Sequence, residues 1–131
     1  MCIFCKIANG EIPSYKVYED KNYLAFLDIS QATLGHTLVI PKKHYENFLD
    51  LENPGEIFEL TQKITKQISK SLTVDQFNIL NNTGSHAGQT VNHFNLHIIP
   101  RYSQNDLFFE FKHLTLTPQE FNDLLQKITT P

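Results

Sequence analysis

The sequence contains few of several residue types that often indicate the class of a protein. Its 131 residues include no tryptophan, one methionine, two cysteines and five glycines. The longest apolar run covers residues 23–27, far short of the roughly 18 residues that a helix needs to cross a bilayer. Ten phenylalanines, five tyrosines and 40% hydrophobic residues argue against disorder. We therefore expect one folded domain, residues 1–131, with no membrane partner.

The charge balance also restricts the partners. The chain has 11 basic and 14 acidic residues, a net charge of −3, and its lysines and arginines are scattered. A protein that binds long nucleic acid usually carries a basic face, so we expect no such partner. The first residues do not combine a charged leader with an apolar segment, and we expect a cytoplasmic protein. A small phosphorylated ligand is compatible with this balance because backbone amides can bind anions.

Both cysteines lie in one Cys-x-x-Cys sequence, Cys2 and Cys5. A structural disulfide is not expected in a reducing compartment. Three interpretations of the pair stay open at this point: metal ligation, redox chemistry, and simple space filling.

The pattern of apolar residues predicts an α+β fold with a mainly antiparallel sheet, one long central helix and a C-terminal helix. The central helix is expected to start at Asn53-Pro54, with Asn53 as N-cap and an apolar stripe running to Leu72. Thr117 and Glu120 form a capping-box sequence before a helix at about 118–128. We expect one or two helical turns over 4–9 and strands over 16–19, 23–27, 36–41, 77–80 and 90–101.

The segment from residue 90 to 101 is the most informative. In a strand, His93, Asn95 and His97 would share one face, while Phe94, Leu96 and Ile98 would share the other. The preceding loop, residues 81–90, contains two glycines and several neutral hydrogen-bond donors. Together they predict a phosphate-binding cradle, although a half-exposed strand with a polar outer face is the simpler alternative.

These pieces resemble the histidine triad (HIT) family of nucleotide hydrolases and transferases, specifically its small Hint-like bacterial branch. The resemblance rests on the Cys-Ile-Phe-Cys-Lys-Ile start, on residues 26–30 and 36–44, on the loop from Asn82 to Thr90, and on 93–101. It covers about 2–105, which leaves 106–131 as a C-terminal extension. It implies a HIT-like fold and a nucleotidyl-enzyme intermediate formed on the middle histidine of the triad.

The sequence departs from the family pattern at that middle position, which is Asn95. An imidazole nitrogen has an available lone pair near neutral pH, whereas the amide nitrogen of asparagine is delocalised into its carbonyl. The resemblance therefore implies a hydrolase of nucleoside phosphoramidates or dinucleoside polyphosphates whose turnover is impaired. An introduced substitution that traps substrate and a natural chain that only binds nucleotide, as a sensor or scaffold, both fit.

The resemblance also implies roles for individual residues. Asn95 occupies the nucleophile position, and His97, His36, Gln89 and Thr90 would position or contact the phosphate. Asp28 would accept hydrogen bonds from the ribose hydroxyls. The positions implied around the whole nucleotide are Phe4, Ile7, Ile12, Asp28, Ile29, Leu38, Asn82, Gly88, Gln89, Thr90 and His97.

A metal site and a partner chain are implied in the same way. Cys2, Cys5, His44 and His93 match a set of two cysteines and two histidines that holds structural zinc in some relatives, a donor set that suits tetrahedral zinc. The expected ligands are AMP, GMP or a dinucleoside polyphosphate. A homodimer is implied as well, with the central helix and the 77–80 strand near its interface.

Overall fold

The computed structural model describes residues 1–130, which form five strands and three α-helices. In chain order these are α1 (Ile3–Ala8), β1 (Lys16–Glu19), β2 (Tyr23–Leu27), β3 (Thr37–Pro41), α2 (Pro54–Leu72), β4 (Phe77–Leu80), β5 (Leu96–Pro100) and α3 (Pro118–Thr129). A single 3-10 turn, Ser85–Ala87, lies between β4 and β5. The expected α+β architecture is confirmed.

The strands form one sheet in the order β1-β2-β3-β5-β4, and every neighbouring pair is antiparallel. The centre of this sheet is the β3–β5 pair, in which Leu38 lies opposite His97. β1 and β4 are the edges. The pairing joins the N-terminal and C-terminal halves of the sheet, which are about sixty residues apart in sequence.

Both faces of the central strands are covered, and this explains why β3 is buried along its whole length. On one face, α2 packs on Val39, Leu96 and Ile98. On the other face, α1 supplies Phe4 and Ile7, which pack on an apolar surface of β2 and β3 that includes Leu38. His97 alternates with Leu96 and Ile98 along β5, so its side chain belongs to the α1 face.

The central helix follows its predicted stripe, with two corrections. Ile57, Ile64 and Ile68 are buried against the sheet, but Leu72 at the end of the stripe is 45% exposed. Thr61 is buried among them, with its hydroxyl donating to the Ile57 carbonyl at 2.7 Å. Asn53 precedes the helix as expected, yet its φ of 52° places it in the left-handed region and its side chain makes no capping hydrogen bond. The N-cap position is therefore confirmed, although Asn53 does not contribute a side-chain hydrogen bond.

The C-terminal helix begins where its sequence predicts. The Thr117 hydroxyl accepts from the Glu120 backbone N–H, and the Glu120 carboxylate accepts from the Thr117 N–H, so the capping box is complete. No residue of α3 is buried. Among the described residues, no helix combines the length and apolarity needed to cross a membrane.

The expected strand from 90 to 101 is much shorter than predicted, since β5 begins only at Leu96. The backbone before it turns instead of pairing in the sheet. The His93 N–H donates to the Val91 carbonyl at 2.9 Å, and the Phe94 N–H donates to the Tyr45 carbonyl at 2.7 Å. Tyr45 lies in the connection after β3, and sequence periodicity within 90–101 holds no information about this long-range bond.

Replacing Ile98 with alanine tests the importance of the β5 core. Ile98 is fully buried against α2, so Ile98→Ala is expected to lower the free energy of unfolding by about 2–5 kcal/mol. The matched control is Ile3→Ala, because Ile3 is 50% exposed and lies outside both core clusters. That control is expected to cost less than about 1.5 kcal/mol. Equal losses in urea-unfolding curves would contradict this view of the core.

Candidate functional site

A pocket on the α1 face of the sheet collects most of the residues that the sequence predicted around a nucleotide. Its lining residues are Phe4, Asp28, Leu38, Asn82, Gly88, Gln89, Thr90, Val91, Asn95 and His97. They come from α1, the ends of β2 and β3, the loop after β4, and the start of β5. Segments distant in sequence thus converge at the end of the β3–β5 pair. Among the described lining residues, Asp28 is the only one with a formal charge at neutral pH.

His36 lies directly behind His97 rather than in the wall of the pocket. The His36 Nε2 is 2.8 Å from the His97 Nδ1 and 3.7 Å from the Asp28 Oδ2. His36 is 5% exposed, immediately before β3, and Leu38 two residues later pairs with His97. The antiparallel register therefore explains why these two imidazoles meet.

The environment of the two histidines favours their neutral forms. Burial lowers the pKa of His36 below its ordinary value, although Asp28 and the Ser30 carbonyl act in the opposite direction. Burial also lowers the pKa of His97, and the neighbouring His36 lowers it further, again against the effect of Asp28. Near neutral pH both imidazoles are therefore uncharged, and the polar lining groups other than Asp28 are neutral dipoles.

The expected row of three side chains is only partly present. Asn95 and His97 both line the pocket, with the Asn95 side-chain N–H donating to the His93 carbonyl at 3.0 Å. His93 is fully buried, with its Nδ1 3.3 Å from the Cys2 Sγ and its ring edge-on to Phe4 at 5.9 Å between ring centroids. His93 therefore shares the α1 face with Asn95 and His97, as predicted, while Phe94 joins Leu96 and Ile98 on the α2 face, but His93 does not line the pocket.

The loop from 81 to 90 uses several of its own backbone donors. The N–H groups of Ala87, Gly88 and Gln89 donate to carbonyls within the loop, so they are not free to bind an anion. Gly88 has a φ of +95°, and a Cβ there would lie 3.3 Å from the Asn82 side chain. The loop still offers the pocket the side chains of Asn82 and Thr90, with Thr90 exposed at its rim.

The Gln89 side chain links the loop to neighbouring backbone through hydrogen bonds. Its side-chain oxygen accepts from the Gly84 N–H at 2.8 Å, and its NH₂ group donates to the carbonyls of Glu46 and Val91. Both ends of the amide are thus held by backbone groups while the residue lines the pocket. A phosphate contact from Gln89, as expected from the sequence, would replace one of these bonds.

Three expected pocket residues are not part of the lining. Ile7 lies on the buried side of α1, in the core, and Ile12 packs against the same cluster. Ile29 is 88% exposed, so the expectation that it forms a wall is not met. Val91 lines the pocket and was missed. Its position depends on the turn before β5, which the sequence pattern did not reveal.

The four expected metal ligands come together as a compact cluster of donor atoms. The two Sγ atoms of Cys2 and Cys5 are 3.3 Å apart, and the Nδ1 atoms of His44 and His93 are 3.2 Å apart. The four sulfur-to-nitrogen distances lie between 3.3 and 3.6 Å. Ligand distances of about 2.3 Å for sulfur and 2.0–2.1 Å for nitrogen give tetrahedral edges of roughly 3.3–3.8 Å. The donor set therefore fits a tetrahedral ion such as zinc.

The outer ring nitrogens of both histidines have acceptors that leave Nδ1 free to bind a metal. The His93 Nε2 is 2.7 Å from the Pro41 carbonyl, and the His44 Nε2 is 3.2 Å from the Glu46 carboxylate. An acceptor at Nε2 favours a proton there and a lone pair on Nδ1. Glu46 was missed in the sequence because a lone exposed carboxylate two residues after a histidine carries no signal.

A larger depression of about 510 Å³ lies elsewhere, between β3 and the start of α2. Lysines and glutamates line it, among them Lys43 and Glu56, together with Tyr23 and Tyr45. It contains no histidine and none of the predicted site residues. The pocket with His97 is smaller, about 110 Å³, but it holds the convergent polar groups. The chemistry therefore favours the smaller pocket.

Comparisons with known proteins identify relatives of this chain. The family model described as "HIT domain" matches residues 9–104. An uncharacterized HIT-like protein of Methanocaldococcus jannaschii is 54% identical over 104 residues, which cover 78% of this chain and 80% of the relative. The adenosine 5'-monophosphoramidase of Saccharomyces cerevisiae is 43% identical over 100 residues, covering 76% of this chain and 62% of the yeast protein.

A solved structure gives the same result for the fold. The crystal structure of a HIT family protein from Bacillus anthracis matches with a TM-score of 0.88 and 46% identity, covering 98% of this chain and 94% of the other. Sequence and structure therefore agree over most of the chain, which belongs to the HIT domain family.

Proposed function

We propose that the chain binds a purine nucleotide in the pocket that contains His97. The proposed ligand is of the kind that hydrolases of nucleoside phosphoramidates or dinucleoside polyphosphates bind. The observation that carries this proposal is the convergence of Asp28, Thr90, Asn95 and His97 on one pocket beside Phe4. The yeast relative, named as an adenosine 5'-monophosphoramidase, supports the substrate class.

The pocket offers suitable groups for different parts of such a ligand. The Asp28 carboxylate can accept hydrogen bonds from two ribose hydroxyls. Phe4 and Leu38 provide apolar surface for a base, whereas Thr90 and His97 can donate to phosphate oxygens. The volume of about 110 Å³ is below the 300–1,000 Å³ typical of a site that encloses a whole ligand. We therefore infer that part of the nucleotide lies on the open rim.

Asn95 decides what the chain can do with the bound nucleotide. In a HIT hydrolase of this kind, the residue at this position attacks the α-phosphorus, and the leaving group departs as the nitrogen–phosphorus or oxygen–phosphorus bond breaks. Water then hydrolyses the nucleotidyl-enzyme intermediate. An asparagine amide has no available lone pair on nitrogen and cannot perform the first step. It can still donate a hydrogen bond in the pocket.

Restoring an imidazole at position 95 should therefore restore turnover. Asn95→His is expected to raise the rate of adenosine 5'-phosphoramidate hydrolysis by about three powers of ten or more, the scale of a lost nucleophile. The rate is measured by following AMP release. The matched control is Asn92→His, because Asn92 is exposed and does not line the pocket. No gain in the Asn95→His protein would refute the substituted-nucleophile account.

A second candidate function is a sensor or scaffold that binds nucleotide without turnover. Asn95 itself favours this candidate, since it preserves polar character at the reacting position while removing the nucleophile. AMP binding measured by calorimetry, together with the same hydrolysis assay, separates the two. Binding without turnover in both the unaltered and Asn95→His proteins would favour the sensor.

We also propose that Cys2, Cys5, His44 and His93 hold a structural zinc ion. All six distances between the four donor atoms are compatible with a tetrahedron, and both histidines present Nδ1 to its centre. Four protein ligands leave no open position, so zinc here would stabilise the fold without taking part in catalysis. It would fix α1, and with it Phe4, against the segment before β5.

Replacing one histidine ligand tests the zinc proposal. Protein purified without chelator is expected to contain about one equivalent of zinc, and His44→Asn should contain less than about a tenth. His86→Asn is the control, because His86 lies exposed in the 3-10 turn. Metal content is measured by mass spectrometry. Zinc retained in full by His44→Asn, or absent from the unaltered protein, would disprove the site.

We further propose a homodimer, supported by surfaces that lack a partner within the chain. β4 is an edge strand, and Ile79 on it is 46% exposed. α3 buries no residue, and Phe121 and Leu125 on it are each 58% exposed. A helix of 12 residues is marginal in water without packing, so a second copy would stabilise it.

The mass in solution tests this proposal. Light scattering is expected to give twice the chain mass of 15.1 kDa for the unaltered protein. Leu125→Glu places a charge on the apolar side of α3 and should shift the protein toward monomer. Gln126→Glu adds the same charge at the next position and should leave the mass unchanged. A monomeric unaltered protein at micromolar concentration would contradict the proposal.

A further inference from the structure

The pocket lacks a cation among its described lining residues, which makes the proton on His97 important. A phosphate group bound beside Asp28 can be held only by neutral donors. The ring nitrogens of a neutral histidine differ, because one carries a proton and the other a lone pair. Nδ1 of His97 is the atom next to His36, whereas Nε2 makes no hydrogen bond with the described residues and is not buried. His97 can donate to a ligand only if its proton is on Nε2.

The backbone fixes this tautomer through His36. The N–H of Ala32, which can only donate, makes a hydrogen bond of 3.1 Å to the His36 Nδ1, whereas the Ser30 carbonyl acts on this ring without such a bond, so we assign the lone pair to this nitrogen. The His36 proton is therefore on Nε2, where His97 Nδ1 accepts it at 2.8 Å. His97 Nδ1 then has the lone pair, and its own proton must be on Nε2. The Asp28 carboxylate, 3.7 Å from the His36 Nε2, favours the same arrangement.

The same hydrogen bonds argue against a metal ion at this point. Asp28, His36 and His97 present their donor atoms within 4.8 Å of one another, a set that could bind a metal. A metal between them would need a lone pair on the His36 Nε2. The lone pair on Nδ1 is already occupied by the Ala32 N–H, so His36 would have to lose its remaining proton. A chain of directed hydrogen bonds from Ala32 through His36 to His97 fits this geometry, and a metal ion does not.

Gln31 holds the turn that places the Ala32 N–H. Its side-chain oxygen accepts from the backbone N–H groups of Gly35 and His36 at 2.8 and 3.1 Å. Its NH₂ group donates to the carbonyl of His36 at 2.8 Å and to that of Asp28. One amide thus joins the two ends of the connection from β2 to β3. Gly35, with a φ of +94°, completes the turn in a space where a Cβ would contact Leu72.

We propose that Gln31 is a positioning residue, which holds the Ala32 N–H on His36 and so fixes His97 as a hydrogen-bond donor to the phosphate. Gln31 does not line the pocket and acts only through His36. The inference rests on the proposed function for its ligand, since it assigns His97 a phosphate to bind. The tautomers themselves do not depend on any ligand.

Nitrogen NMR of histidine-labelled protein near neutral pH tests the proposal directly. Long-range proton–nitrogen spectra distinguish the two tautomers, and we expect a proton on Nε2 in both His36 and His97. Gln31→Met keeps the length of the side chain but removes its hydrogen bonds, and should produce a mixture of tautomers. AMP affinity, measured by calorimetry, should fall by about five- to tenfold. The control is Gln119→Met on the exposed surface of α3, where neither readout should change.

Three outcomes would separate the possibilities. A proton on the His36 Nδ1 in the unaltered protein, donating to the Ser30 carbonyl, would overturn the assignment of the two tautomers. Unchanged tautomers and affinity in Gln31→Met would overturn the role of Gln31. If AMP fails to bind the unaltered protein although both protons are on Nε2, the proposed function is wrong, while the tautomer assignment is supported by the spectra alone.

Discussion

The pairing of β3 with β5 is the constraint on which the rest of the molecule depends. It connects two parts of the chain that are about sixty residues apart, and Leu38 opposite His97 fixes its register. β3 directly follows His36, which contacts His97, and it ends at Pro41, whose carbonyl accepts from His93. A shift of one residue would move His97 to the α2 face and disperse both clusters.

The pocket and the four-ligand cluster are joined by short connections, so they should behave as one rigid unit. Cys2 caps α1, the helix that carries Phe4 into the pocket. Asn95 donates to the carbonyl of His93. Gln89, in the loop beside the pocket, donates to the carbonyl of Glu46, whose carboxylate contacts His44. An ion at the cluster would therefore restrain three walls of the pocket without contacting the nucleotide.

The sequence predicted those features that depend on neighbouring residues. The apolar runs of β2 and β3, the stripe on α2 and the Thr117–Glu120 capping box are local patterns, and the structure confirms them. The strand at 90–95 was wrong because the Phe94 N–H bonds to a carbonyl 49 residues earlier. The tautomers of His36 and His97 were equally hidden, since they depend on a backbone N–H that every residue except proline carries. Collecting the pocket residues required the resemblance, because apolar periodicity cannot distinguish a pocket wall from the core.

The hydrogen bonds that orient His97 do not involve position 95, so a change at position 95 need not disturb the site. The proposed phosphate recognition would rely on dipoles whose directions are fixed by hydrogen bonds, from Ala32 to His36 and then to His97. Asn95 participates in none of these bonds, and its own amide is held by the His93 carbonyl. Preorganised donors serve a bound ground state as well as a transition state, provided that their geometry does not change. In the proposed chemistry, an asparagine at this position would therefore remove the covalent step while the binding site keeps its form.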